Sequence, residues 1–108
     1  MKKEKGPIEF LSIKSKPFKG VAKNIKEVHT KLRKVNLAGK SEYVWILQNP
    51  NSPEADRLKD GNHHYFLGGS AGKVAHFLVW VDGAFVEGRC WMTDQWFPTE
   101  HVVEKVDS

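Results

Sequence analysis

A chain of 108 residues, 40% hydrophobic and 28% charged, has material for one modest globular core and no apolar run near the ~20 residues of a membrane span. Its charged N-terminus is not followed by the apolar segment of a secretory leader, and a single cysteine, Cys90, rules out an internal disulfide framework. The net charge of +4 is unevenly distributed: up to Lys40 twelve bases face three acids, and from Ser41 onward five bases face ten acids. Such a split suggests either a basic face for a polyanion or acidic partner, or a basic half packed on an acidic half. A reducing, cytoplasmic location is the expectation.

Residues 1–7 read as a flexible basic arm and 8–106 as a single α+β domain. Ile8 to Ile13 is predicted as a first strand with no clean face. Lys14 to Gly20 is a basic connector broken by Pro17 and Gly20. Val21, Ile25, Val28, Leu32 and Val35 are spaced 4, 3, 4 and 3 apart, which predicts a helix over 21–35 with one aliphatic stripe. Its other surface carries Lys23, Lys26, Lys31, Arg33 and Lys34. Asn36 or Gly39 is expected to cap its C-terminus in the left-handed conformation.

Glu42 to Gln48 (EYVWILQ) is an almost continuous apolar run and predicts a buried strand. Residues 49–62 read as a wet loop, with a helical turn at 52–58 that Ser52 caps and Pro53 begins. His63 to Leu67 is predicted as a short strand, and Gly68 to Gly72 as a flexible turn.

The strongest local signal lies at His76 to Met92 (HFLVWV-DG-AFVEGRCWM). Two β-rich runs flank Asp82-Gly83, residues that accept the positive φ angles of a type I′ turn. The turn sets Val81 opposite Ala84, Trp80 opposite Phe85 and Val79 opposite Val86. Gly88 suggests a bulge or bend. A turn at Thr93-Asp94-Gln95 and the run Trp96-Phe97-Pro98 lead to a last strand at 101–106. Together these elements predict an α+β fold. It is either a small, mainly antiparallel sheet or an SH3-like or OB-like barrel, with about five or six strands and one amphipathic N-terminal helix.

Trp96-Phe97-Pro98-Thr99-Glu100-His101-Val102 resembles the end of an SH3 domain. There an aromatic-Phe/Ile-Pro run passes through a short helical turn to Tyr-Val and the final strand. His101 replaces that tyrosine, and the acidic first loop and its strand motif are absent. The resemblance implies a small barrel and does not imply a proline-peptide site.

The chemistry-bearing residues point to binding. His29, His63, His64, His76, His101 and Cys90 lack metal-ligand spacing, and the adjacent His63 and His64 must point to opposite faces of a strand. Cys90 sits mid-strand, where cysteines are usually inert, and no acid–base pair accompanies it. Gly68 to Lys73 fails the phosphate-loop pattern at both ends. No catalytic residue, metal or cofactor is expected. Trp45 and Phe77 read as core, while Trp80 and Phe85 read as an outer face shared with His76, Leu78, Glu87, Arg89 and Trp91.

The first functional expectation is a non-enzymatic module binding DNA or RNA. Lys14, Lys16, Lys19, Lys23, Lys26, Lys31, Arg33, Lys34 and Lys73 would contact phosphates, with the sheet aromatics able to stack on bases. Lysine predominates, which favours backbone contact over base reading. The alternative is a small inhibitor or regulator that docks on a larger protein through Trp80, Phe85, Arg89 and Trp91 and the acidic C-terminal half.

Overall fold

A computed structural model describes residues 13–18, 20–68, 73–97 and 99–106. The expected arm at 1–7, residues 8–12 of the predicted first strand, Lys19 and most of the predicted glycine-rich turn lie outside this set. Five strands form one open sheet: β1 (Ile13–Pro17), β2 (His64–Phe66), β3 (Val74–Val81), β4 (Ala84–Trp91) and β5 (His101–Lys105). Their spatial order is β1-β5-β2-β3-β4. The sheet does not close into a barrel, so β1 and β4 are edges. All neighbouring pairs are antiparallel except β2 with β5, which is parallel.

The β3–β4 hairpin follows the local chemistry. Asp82 and Gly83 both have positive φ, 52° and 83°. The register runs unbroken from Val81↔Ala84 through Trp80↔Phe85 and Val79↔Val86 to Val74↔Trp91. Gly88 marks no bulge. It pairs with Phe77, and a Cβ placed on it would stand 2.2 Å from the Phe77 ring, so the missing side chain makes room for that ring.

Three helices occur among the described residues, where the sequence predicts one helix and one helical turn. The first, α1 (Ile25–Lys31), begins later and ends sooner than the stripe suggests. Asn24 caps it by accepting from the Glu27 amide at 2.9 Å, and the Glu27 carboxylate accepts from the Lys23 amide at 3.0 Å. Val21 therefore lies before the helix and is 85% exposed. The turn after β4 also holds this end: Ile25 and Lys26 donate their amides to the carbonyls of Asp94 and Met92.

The apolar run at 42–48 is a helix, α2 (Lys40–Gln48), and not a strand. Tyr43 and Ile46, three apart, face the core, while Val44, Trp45 and Leu47 pack more loosely around it. A continuous apolar run of this length does not distinguish a strand from a buried helix. Gly39 is the N-cap of this helix rather than the end of the previous one. Its amide donates to the Glu42 carboxylate at 2.7 Å. The turn α3 (Pro53–Asp56) forms as expected, with the Ser52 hydroxyl accepting from the Ala55 amide at 3.1 Å.

The helices lie on opposite faces of the sheet. Ile13, Phe66, Leu78 and Val103 form one core with Tyr43 and Ile46 of α2 and with Ala55 and Leu58. Tyr65, Ala75 and Val102 form the other with Ile25 and Val28 of α1 and with Met92 and Trp96. Between α1 and α2 the chain crosses from face to face by inserting residues 36–39 into the wedge where β2 and β5 part. Ala38 donates to the Val103 carbonyl and accepts from the Gly68 amide, and Lys105 donates to the Asn36 carbonyl. The crossing depends on Gly39 and Gly68, because a Cβ on either would approach a backbone oxygen to 2.2 Å. No described helix is long and apolar enough to cross a membrane.

Candidate functional site

The sheet brings most of the N-terminal cations to the α1 side. Alternation along β1 turns Lys14 and Lys16 toward the face that carries Val102, on which α1 packs. Lys23, Lys26, Lys31, Arg33 and Lys34, on α1 and its flanks, are all exposed on that side. Met92 draws Lys73 toward the same end: its amide donates to the Lys73 carbonyl, and its own carbonyl accepts from Lys26. Lys19 lies outside the described residues.

These cations have few internal partners. Lys16 pairs with Glu104 at 3.1 Å. The Lys31 ammonium donates to the Val21 carbonyl at 2.6 Å. Among the described residues, no carboxylate lies within ion-pair distance of Lys14, Lys23, Lys26, Arg33, Lys34 or Lys73. Between β1 and the end of α1 runs a hollow of about 260 Å³, lined by Lys16, Pro17, Phe18, Leu32, Val102 and Glu104.

The aromatic residues are arranged differently from the sequence expectation. Trp80, Phe85, Arg89 and Trp91 do share one face, but it is the face covered in part by α2 and α3. Once 42–48 is helical, this face is no longer free. Phe85 packs against the α2-side core and meets Trp80 edge-on at 4.9 Å. The Lys59 ammonium stands 4.6 Å above the Trp80 ring. Only Arg89 and Trp91, toward the far end of β4, stay open, and Trp91 is 61% exposed. Burial, with the Glu87 carboxylate nearby, pushes the Tyr43 hydroxyl up to about 12.

Two polar networks inside the protein were not visible in the sequence. In one, the Ser15 hydroxyl donates to His64 Nδ1 at 2.6 Å, and His64 Nε2–H donates to Asp60 Oδ1 at 2.7 Å. Burial holds His64 below the usual histidine range despite the nearby Asp60, so the ring is neutral and this tautomer satisfies both nitrogens. Burial works to raise Asp60, but hydrogen bonds from His64 and Asn62 outweigh it and hold the carboxyl low. The Ser–His–Asp order is that of acyl-transfer enzymes, but there serine bonds Nε2 and aspartate Nδ1, the reverse of the arrangement here. Here the imidazole is 1% exposed and packed at a tilt against His101, and we read these hydrogen bonds as a tether joining β1, β2 and the loop before β2.

In the other network, the Tyr65 hydroxyl donates to Glu100 Oε1 at 2.9 Å and the Phe97 amide donates to Oε2 at 3.1 Å. The Cys90 thiol donates to the Tyr65 oxygen at 3.7 Å. Burial raises both Tyr65 and Cys90, so each keeps its proton and Cys90 is a poor nucleophile. No group of three metal-binding side chains occurs among the described residues. Comparisons with protein-family models, curated proteins and solved structures found no match to this chain.

Proposed function

We propose that the α1 side of the sheet binds the phosphate backbone of a nucleic acid, as a binding module rather than a catalyst. The observation that carries this reading is the gathering of Lys14, Lys16, Lys23, Lys26, Lys31, Arg33 and Lys34 on one side of the sheet. Apart from Lys16, none of them has a carboxylate partner among the described residues. Unpaired ammonium groups at the surface release counterions from a polyanion, which is the main source of sequence-independent affinity. The predominance of lysine over arginine favours phosphate contact over bidentate recognition of bases. A lone, protonated thiol suits a reducing compartment, and we place the module in the cytoplasm.

The test is fluorescence anisotropy with labelled single- and double-stranded DNA and RNA over a range of salt. A patch making about six phosphate contacts should lose about a thousandfold in affinity between about 50 and 200 mM salt. The Lys23→Glu, Lys26→Glu, Lys31→Glu triple variant should bind far more weakly while keeping its circular dichroism. Binding unchanged by salt, or by the triple variant, would reject the reading.

A second reading has one observation in its favour. Arg89 and Trp91 stay exposed on a sheet edge that no described element covers, as a docking surface for another protein requires.

A further inference from the structure

We propose that β4 is a self-complementary edge and that two copies of this chain pair through it, antiparallel, about a two-fold axis at Gly88. The inference deepens the docking reading of Arg89 and Trp91 by naming the partner, and it is independent of phosphate binding on the α1 side.

The backbone comes first. In a hairpin with a two-residue turn, the residues flanking the turn exchange hydrogen bonds, and the pattern then alternates. Ala84, Val86, Gly88 and Cys90 therefore turn their amides and carbonyls toward β3. Phe85, Glu87, Arg89 and Trp91 turn theirs outward. One contact confirms the alternation: the outward Trp91 amide is caught by Asp94 Oδ2 at 2.8 Å. Among the described residues, no strand lies beyond Phe85, Glu87 and Arg89, because β4 ends the sheet. The edge is eight residues long and lacks the bulge, proline and lysine that often block pairing; its charges, Glu87 and Arg89, are of opposite sign.

The side chains then choose the register. A two-fold at Gly88 sets Glu87 opposite Arg89 of the second copy, and Arg89 opposite its Glu87. It also sets Phe85 opposite Trp91 and Val86 opposite Cys90. Moving the axis to Glu87 or to Arg89 would put like charges face to face. Of these registers, only the one at Gly88 opposes charge to charge and aromatic to aromatic. Neither Glu87 nor Arg89 forms an ion pair with the described residues of its own chain. The pairing would cover Trp91 and Val86, which are 61% and 48% exposed. The contact is isologous, so it closes at two copies and joins two sheets into one.

The experiment is sedimentation velocity over a wide concentration range, with charge reversals at the two residues. Wild type should sediment as a dimer. Glu87→Arg alone, or Arg89→Glu alone, opposes like charges at both crossings and should weaken the dimer by about tenfold or more. Two results would be specific to this register: the E87R/R89E double variant should dimerise again, and so should an equimolar mixture of the two single variants. Both side chains are exposed, so far-UV circular dichroism should stay unchanged in every variant. Cys90 faces Val86 rather than its own copy, so Cys90→Ser and reductant should leave the dimer intact. A wild type that stays monomeric at the highest concentration overturns the proposal. So does a dimer indifferent to both single reversals, or one the mixture fails to restore.

Discussion

The two edges of the sheet are built on different principles. The described part of β1, Ile13–Pro17, has one buried core residue, Ile13, and two lysines, and it ends in Pro17. Its Lys16 is tied to Glu104, and Ser15 is tethered to His64 across β5. β4 presents half-exposed apolar residues and opposite charges two positions apart, and its side-chain ties include the Asp94 contact at its end and the Cys90 thiol on Tyr65. Lysine and proline on an edge strand block the approach of another strand. One edge thus refuses a partner and offers its cations on the α1 side, while the other leaves its backbone available.

The largest effect should come from removing the anchor of β1. Ile13 is 1% exposed and lies in the α2-side core, so Ile13→Ala should cost about 2–5 kcal/mol in urea unfolding. Val86→Ala on β4 should stay within about 0.5 kcal/mol in the monomer. Equal costs would erase the contrast. Next comes Gly88→Val, whose Cβ would enter the Phe77 ring and should cost about 1–3 kcal/mol. Phe77→Leu in the same chain should recover much of that loss.

Acid should loosen the β1 side. The neutral folded His64 has a pKa below the 6.5 of an exposed ring, so the unfolded chain takes up its proton first. Stability is full above about pH 6.5 and falls as the pH drops toward the folded value. The thermal midpoint should decline from neutral to about pH 5, and His64→Gln should flatten that decline. A midpoint that rises on acidification would refute the neutral tether. The smallest effect on stability is expected from Lys14→Thr with Lys16→Thr, within about 0.5 kcal/mol. The exposed second edge should nevertheless let dimers join further, which light scattering would detect.

Both edges were only partly legible in the sequence. Asp82-Gly83 fixed the β4 pairing because its turn chemistry is local and the side chains alternate. Which face of that hairpin was covered depended on residues 40–48, whose unbroken apolar run gave no period to read. A glycine followed three residues later by Glu42 was a usable sign of a helix start. The number of cations could be counted from the chain. Their collection on one side could not, because it follows from the pairing of β1 with β5, whose sequence separation is large. The tether at Ser15, His64 and Asp60 was hidden for the same reason, since it joins positions 49 apart.

β5 is the last strand of the described chain, yet it sits inside the sheet, between β1 and the wedge that holds residues 36–39. During synthesis, β1 has no strand neighbour, and the helix-to-helix crossing has only its Gly68 side paired, until residues 101–105 leave the ribosome. The hairpin can form early from its own contacts, but the pairing of β1 must wait for β5. A nascent chain stalled before His101 should therefore remain protease-sensitive outside the hairpin.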